Sequence, residues 1–394
     1  MQNKGNRMFQ SRHRAPRAFS VAVYLYQPGD GGLDRVAILL ANHLVQTGVP
    51  VELWMTHLDG PSASLIDPAL TIRHVPAPAL GRRLSMIGQY PALSAMVRRH
   101  RPDILYSAGN QSNMLVALAT LGTDTQAVGR ISNPIVRPGQ GRASSLVRLA
   151  RFRLIARLCA MTIVMGDHDR QLLSPARADI RLLPRPTVTA AMERIGALRA
   201  PRATTAPFRL LMVGRLAEQK DQATALRALA RLPHIDWRLT IAGQGPLLAD
   251  LQRLCVELCI ADRVTFTGFV DDPDRLAALM GHADLLLQPS RWEGLCATLI
   301  EALACGADVV ATDSTPNIRA LLAQAGQHPV TPVGDDAAFA RAIERALSRA
   351  APASLREQAV RDHGVDRALD RYLNAFASVV PGEIATAVPS PVLS

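Results

Sequence analysis

The sequence predicts two doubly wound parallel α/β domains in succession. Three observations carry this: short apolar runs alternate with helical patterns throughout, glycine-bearing loops follow the strand ends, and the whole pattern restarts after a Pro/Ala/Thr/Arg-rich stretch at residues 184–207. A chain of 394 residues also exceeds what one hydrophobic core usually supports.

In chain order, residues 1–17 read as a disordered basic leader. The run at 19–26 (FSVAVYLY) is a strand, and the glycine loop Pro28-Gly-Asp-Gly-Gly32 opens a helix over 33–47 that Gly48 stops. The run at 51–56 is the next strand, so the unit is strand, glycine loop, helix, strand. This loop is not a complete dinucleotide fingerprint. Strands follow at 70–75, 103–107, 127–131, 161–165 and 180–183, which places the first domain at 18–183. An arginine-rich helix is expected over 143–158, with Arg148 and Arg151 on one face and Arg153 and Arg157 on another. Such a helix fits partial burial with snorkelling arginines as well as it fits membrane contact. The stretch 184–207 reads as the linker. The second domain, 208–350, has strands at 208–213, 237–242, 264–267, 284–288 and 308–312, with helices at 222–232 and 297–304 among those between them. Residues 351–380 read as C-terminal helices, including one at 366–379, and 381–394 as a disordered tail.

Hydrophobic residues make up 48% and charged residues 20%, the balance of a globular protein rather than a disordered chain. No apolar run reaches membrane-spanning length. The five cysteines are scattered in apolar surroundings, which suits a reducing cytoplasm. Cys255 and Cys259 have helical spacing but no further metal ligands nearby, so core packing is expected and no metal site is assigned. The net charge is +11, and only 4% of residues are aromatic, without the basic and aromatic interleaving that nucleic-acid stacking requires. Arginines concentrate in the first half, including Arg82, Arg83, Arg98, Arg99 and Arg101. That bias suits an anionic membrane surface or, equally, a solvated face.

Candidate chemistry lies in the second domain. Arg215 sits just past a strand end and Lys220 five residues later, at the mouth of a helix, with Gly214 permitting the turn. A diphosphate needs a planar donor, a point charge and helix-terminal amides, and this segment has all three. Glu293 falls in a strand-to-helix loop, and Glu301 inside the apolar helix that follows, where a carboxylate requires a partner. Taken singly, the basic pair reads equally as a surface salt bridge, and Glu301 as a helix-surface residue.

The ordered set GRLAEQKD (214–221), AGQGP (242–246), VTFTGFV (264–270) and ADLLLQPSRWEGLCATLIEALACGADVVATD (283–313), preceded by GGLDRVAILLANHL (31–44), resembles the retaining GT-B glycosyltransferases of family GT4, in their EGLxxxLLEAMACG subgroup. The resemblance implies two facing Rossmann-like domains, with the C-terminal helix crossing back to the first. It also implies metal-independent transfer of a sugar from a nucleotide-diphosphate sugar, with no cofactor, to a glycan or lipid-linked acceptor in cell-surface polysaccharide or glycolipid synthesis. By position, Arg215 and Lys220 would grip the diphosphate, Glu301 the ribose, and Glu293 with the amides of Gly294 and Leu295 the donor sugar. Gly31 and Gly32 would let the first domain approach the ligand, and Phe269 and Val270 would flank the base. Glu293 as a covalent nucleophile is the other reading of that carboxylate, although the resemblance favours front-face substitution. A catalytically silent nucleotide- or polysaccharide-binding subunit is the competing function. Three departures from the family pattern stand out: the loop SAGNQSN (107–113) lacks a histidine, Arg185 replaces an asparagine, and Arg319 takes a commonly acidic place. The implied location is cytoplasmic, peripheral on the membrane's inner face.

Overall fold

The computed structural model describes residues 19–29, 31–78, 88–137, 139–199 and 207–381. The leader, Arg82, Arg83 and all of the tail beyond residue 381 lie outside the described residues.

Seven parallel strands form the first sheet: β1 (Val21–Leu25), β2 (Val51–Met55), β3 (Thr71–His74), β4 (Ile104–Ser107), β5 (Gln126–Arg130), β6 (Met161–Val164) and β7 (Ile180–Leu182), in the order β3-β2-β1-β4-β5-β6-β7. Five more form the second: β8 (Phe208–Val213), β9 (Trp237–Ala242), β10 (Val264–Gly268), β11 (Leu285–Gln288) and β12 (Asp308–Ala311), ordered β10-β9-β8-β11-β12. The central strands are apolar because helices cover both faces; β1, β4, β11 and β12 are buried along their whole length. Element ends differ from the sequence expectation by a residue or two, as expected where caps fray.

Strand order reverses between β1 and β4 in one sheet and between β8 and β11 in the other. In open α/β sheets such switch points leave a crevice beyond the strands' carboxyl ends. Here the two crevices face each other. On one side stand the loop after β1 with helix α1 (Gly32–Gln46) and the loop after β4; on the other stand the loops after β8 and β11.

Within the expected linker, residues 184–188 are fastened to the C-terminal segment: Thr187 and Val188 N–H donate to the His363 carbonyl at 3.1 and 3.0 Å. A helix, Ala190–Ala197, then packs on Pro273–His282 and Ala297–Ala304 of the second lobe. Composition misleads there because alanine and methionine serve packing as readily as a loop. The final helix, Val365–Ala377, returns to α1 and to β4, where Tyr106 meets Tyr372 and Phe376 at ring separations of 6.5 and 5.4 Å.

The lobes also touch beside the cleft. Asn317 Nδ2 donates to Asp169 Oδ2 at 2.9 Å, and a Cβ on Gly294 would overlap the Ser132 carbonyl, so only glycine permits that approach. Arg137 lies over the Trp292 ring, 5.1 Å from its centroid. Cys255 is buried and Cys259 exposed at φ 56° beyond the helix end, so they do not face a common site.

Candidate active site

The cleft between the lobes measures about 570 Å³. Its second-lobe wall begins where β8 ends. Gly214 takes φ 146°, which folds the chain back so that Lys220 lies against it, and Gly243 at φ 155° abuts the Gly214 carbonyl from the neighbouring strand. Arg215 is exposed in the cleft, with its backbone carbonyl held by Gln222 Nε2 at 3.0 Å.

Lys220 Nζ donates to Glu293 Oε1 at 2.6 Å. The same oxygen accepts from the Ser290 hydroxyl at 2.9 Å, and Gln288 Nε2 donates to Ser290 Oγ at 2.6 Å. Glu293 is thus held by Lys220 from the loop after β8 and by Ser290, with Gln288 Nε2 also 3.4 Å from the same oxygen, and is only 7% exposed. Burial pushes the Lys220 ammonium down, but Glu293 outweighs this and leaves it above its ordinary range. Glu301 is buried in helix Ala297–Ala304, and its Oε1 accepts from the Thr187 hydroxyl. The partner that a buried carboxylate requires therefore comes from the segment linking the lobes, 114 positions away in the chain.

Two helix N-termini face the cleft from opposite lobes. The first, α1, follows Gly31 and the second follows Cys296, and neither has a side-chain cap from its N-cap residue. Uncapped amide groups with the helix dipole behind them favour an anion. Gly31, Gly32, Gly214 and Gly294 line the space, as do Arg215, Lys220, Glu293 and Glu301. Phe269 is exposed at the rim beside Val270, just past the bulge that interrupts pairing of β10 with β9. Leu295 stands apart: its side chain is buried in the core, and its carbonyl accepts from Arg185 Nη1 at 2.6 Å. Sequence reasoning missed Thr187, Ser290, Gln288 and the placement of Arg185 in the cleft. Only the spacing of Ser290 three residues before Glu293 carried a local signal.

The arrangement is suited to a substrate with adjacent anionic and polyhydroxyl parts: cations and amides for the first, buried carboxylates for the second. Two doubly wound lobes facing such a cleft define a GT-B protein. Comparison with known proteins agrees. Residues 198–362 match the family described as glycosyl transferases group 1, and residues 31–186 match the glycosyl transferase 4-like domain. The chain is 31% identical over 318 residues to D-inositol 3-phosphate glycosyltransferase of Mycobacterium leprae, across 73% of this chain and 74% of the relative. Among solved structures, sucrose-phosphate synthase of Thermosynechococcus elongatus superposes with a TM-score of 0.74 at 19% identity, covering 92% of this chain and 99% of the other. HepE of Anabaena, solved with UDP-glucose, gives 0.71 at 17% identity, covering 91% and 99%. The chain belongs to the GT4-type glycosyltransferases of the GT-B fold.

Proposed function

We propose that the protein transfers a sugar from a nucleotide-diphosphate sugar to a glycan or lipid-linked acceptor with retention at the anomeric carbon and without a metal ion. The observation that carries this reading is the Lys220–Glu293 pair at the end of β11, set beside Arg215 and opposite the N-terminus of α1. The bond from the anomeric carbon to the diphosphate oxygen breaks, the acceptor oxygen bonds on the same face, and the departing phosphate oxygen takes the acceptor's proton. Charge builds on the leaving diphosphate, and fixed cations already stand there. Arg215 and Lys220 stabilise it without reorganising, which is where electrostatic catalysis is strongest. Glu293 and the Gly294 and Leu295 amides orient the sugar, Glu301 holds the ribose through its free oxygen, and Phe269 and Val270 flank the base. One relative is a D-inositol 3-phosphate glycosyltransferase and the structural neighbour WaaB a lipopolysaccharide outer core galactosyltransferase, which supports an acceptor of the cell-surface glycan or glycolipid class.

The acceptor is proposed to be met at an anionic membrane face on the cytoplasmic side. Helix α4 (Arg142–Leu158; α2 is Tyr90–His100 and α3 Asn113–Ala119) turns Leu146 and Val147 outward at 66% and 71% exposure, with Leu154 and Arg151 on the same exposed strip. An apolar strip edged with arginine is the pattern of interfacial helices. Arg148, Arg153 and Arg157 do other work, donating to the carbonyls of Ile135, Leu172 and Ala176 at 3.0, 3.1 and 3.3 Å. Incubation with a panel of nucleotide-sugars tests the reading: one donor should release its nucleoside diphosphate, and the sugar product should keep the donor's anomeric configuration by NMR. An inverted product would remove the retaining mechanism.

A further inference from the structure

Arg185 stands on the segment that passes from one lobe to the other, and its side chain enters the cleft floor. Its backbone N–H donates to His363 Nδ1 at 3.0 Å, and Nη1 donates to the Leu295 carbonyl at 2.6 Å. Nη2 lies so close to Gly32 that a Cβ there would overlap it. The residue is 9% exposed, yet Nε has no hydrogen-bond partner, and no carboxylate lies within ion-pair distance among the described residues. The nearby carboxylates are engaged elsewhere, Glu293 by Lys220 and Ser290 and Glu301 by Thr187.

Next to it, at the end of β5, Arg130 is fully buried, with Nη2 on Met165 Sδ at 3.2 Å and with Nε and Nη1 unpartnered. Burial pushes the Arg185 guanidinium below its ordinary range, and Arg130 adds to that. A guanidinium does not escape by losing its proton, so a buried one without a counter-ion is costly. Among the described residues, the cleft's Arg35, Arg185, Arg215 and Lys220 are matched in number by Asp34, Asp271, Glu293 and Glu301, and the buried Arg130 behind Arg185 adds one positive charge without a carboxylate partner. The diphosphate of a sugar nucleotide carries two negative charges.

We propose that Arg185 is a third diphosphate-binding cation, contributed by the interlobe segment, whose Nη2, beside Gly32 at the start of α1, donates to the phosphate nearer the sugar. The inference rests on the glycosyltransferase reading above. Anchoring Nη1 on the Leu295 carbonyl fixes the plane of the guanidinium and the direction of Nη2, a constraint that a lysine ammonium reproduces only in part. A purely structural strut would act on stability and leave phosphate discrimination untouched.

Calorimetric titration separates these roles. Wild type, Arg185→Met and Arg185→Lys are titrated with uridine, guanosine, adenosine and thymidine diphosphates, and with the monophosphate of the preferred base. Arg185→Met should lose about 10- to 100-fold in affinity for the diphosphate, the loss of a charge-assisted hydrogen bond, while the monophosphate stays within roughly threefold and shows that the fold is intact. Arg185→Lys should recover part of the loss. A wild type that prefers the diphosphate, beside an Arg185→Met variant with the same preference or with both nucleotides weakened alike, overturns the proposal and leaves the transferase reading standing. Wild-type protein that binds none of the nucleotides overturns both. If Arg185→Met fails to fold, Arg185→Lys decides: an unchanged diphosphate-to-monophosphate ratio there rejects the guanidinium contact.

Discussion

Replacing Glu293 by glutamine removes one charge while keeping the side chain's size. In the native protein Glu293 Oε1 takes Lys220 Nζ at 2.6 Å and the Ser290 hydroxyl at 2.9 Å. Glutamine keeps an acceptor oxygen but leaves the ammonium without a counter-charge. Stranding one partner of a buried pair costs about 3–5 kcal/mol. The Lys220 side chain is 20% exposed to the cleft, so solvent screening brings the cost to about 2–3 kcal/mol. At about 2–4 °C per kcal/mol for a unit of 150–250 residues, the Glu293→Gln variant should melt roughly 4–12 °C below wild type. A bound diphosphate returns an anion to Lys220, so saturating nucleoside diphosphate should raise the variant's Tm more than the wild type's. Scanning calorimetry with and without the nucleotide measures both shifts. A variant that melts with wild type, or that gains no more from the nucleotide, would refute the view that Glu293 is the counter-charge a diphosphate supplements.

Two further outcomes follow from the same geometry. Leu146→Glu with Val147→Glu should abolish co-sedimentation with anionic vesicles while nucleotide-sugar turnover in solution persists; undiminished vesicle binding would move the membrane contact off α4. His363 is held below its ordinary value of 6.5 chiefly by burial. The unfolded chain therefore takes up a proton near that pH while the folded one does not, and stability falls as pH drops from about 7 towards 5.5, by up to about 1.4 kcal/mol per unit of pKa difference. His363→Asn should flatten that part of the Tm–pH curve, and an unchanged slope would assign it to other groups.

Much of the fold is legible because burial on both faces turns central strands into unbroken apolar runs, as at Leu285–Gln288, and because glycine marks the loops at their ends. Glu293 and Glu301 stood out as carboxylates in apolar surroundings. Their partners divided by distance. Ser290 lies in the same loop as Glu293, whereas Thr187 and Arg185 reach the cleft only because His363 fastens the interlobe segment there. No local period encodes such a contact. The arginines of α4 illustrate the same limit: their spacing gave no clean face because Arg148, Arg153 and Arg157 serve carbonyls on three neighbouring segments.

The central claim is that fixed cations at the end of β8 carry the charge of a leaving diphosphate. It is tested most directly by the rate of nucleoside diphosphate release from the preferred nucleotide-sugar, in EDTA, for wild type and for Arg215→Ala and Lys220→Ala. Loss of a charge-assisted contact worth about 2–4 kcal/mol in the transition state predicts rates roughly 30- to 1,000-fold below wild type for each variant, with wild type unaffected by the chelator. Release at the wild-type rate by either variant, or wild-type activity that vanishes in EDTA and returns with a divalent ion, would contradict it.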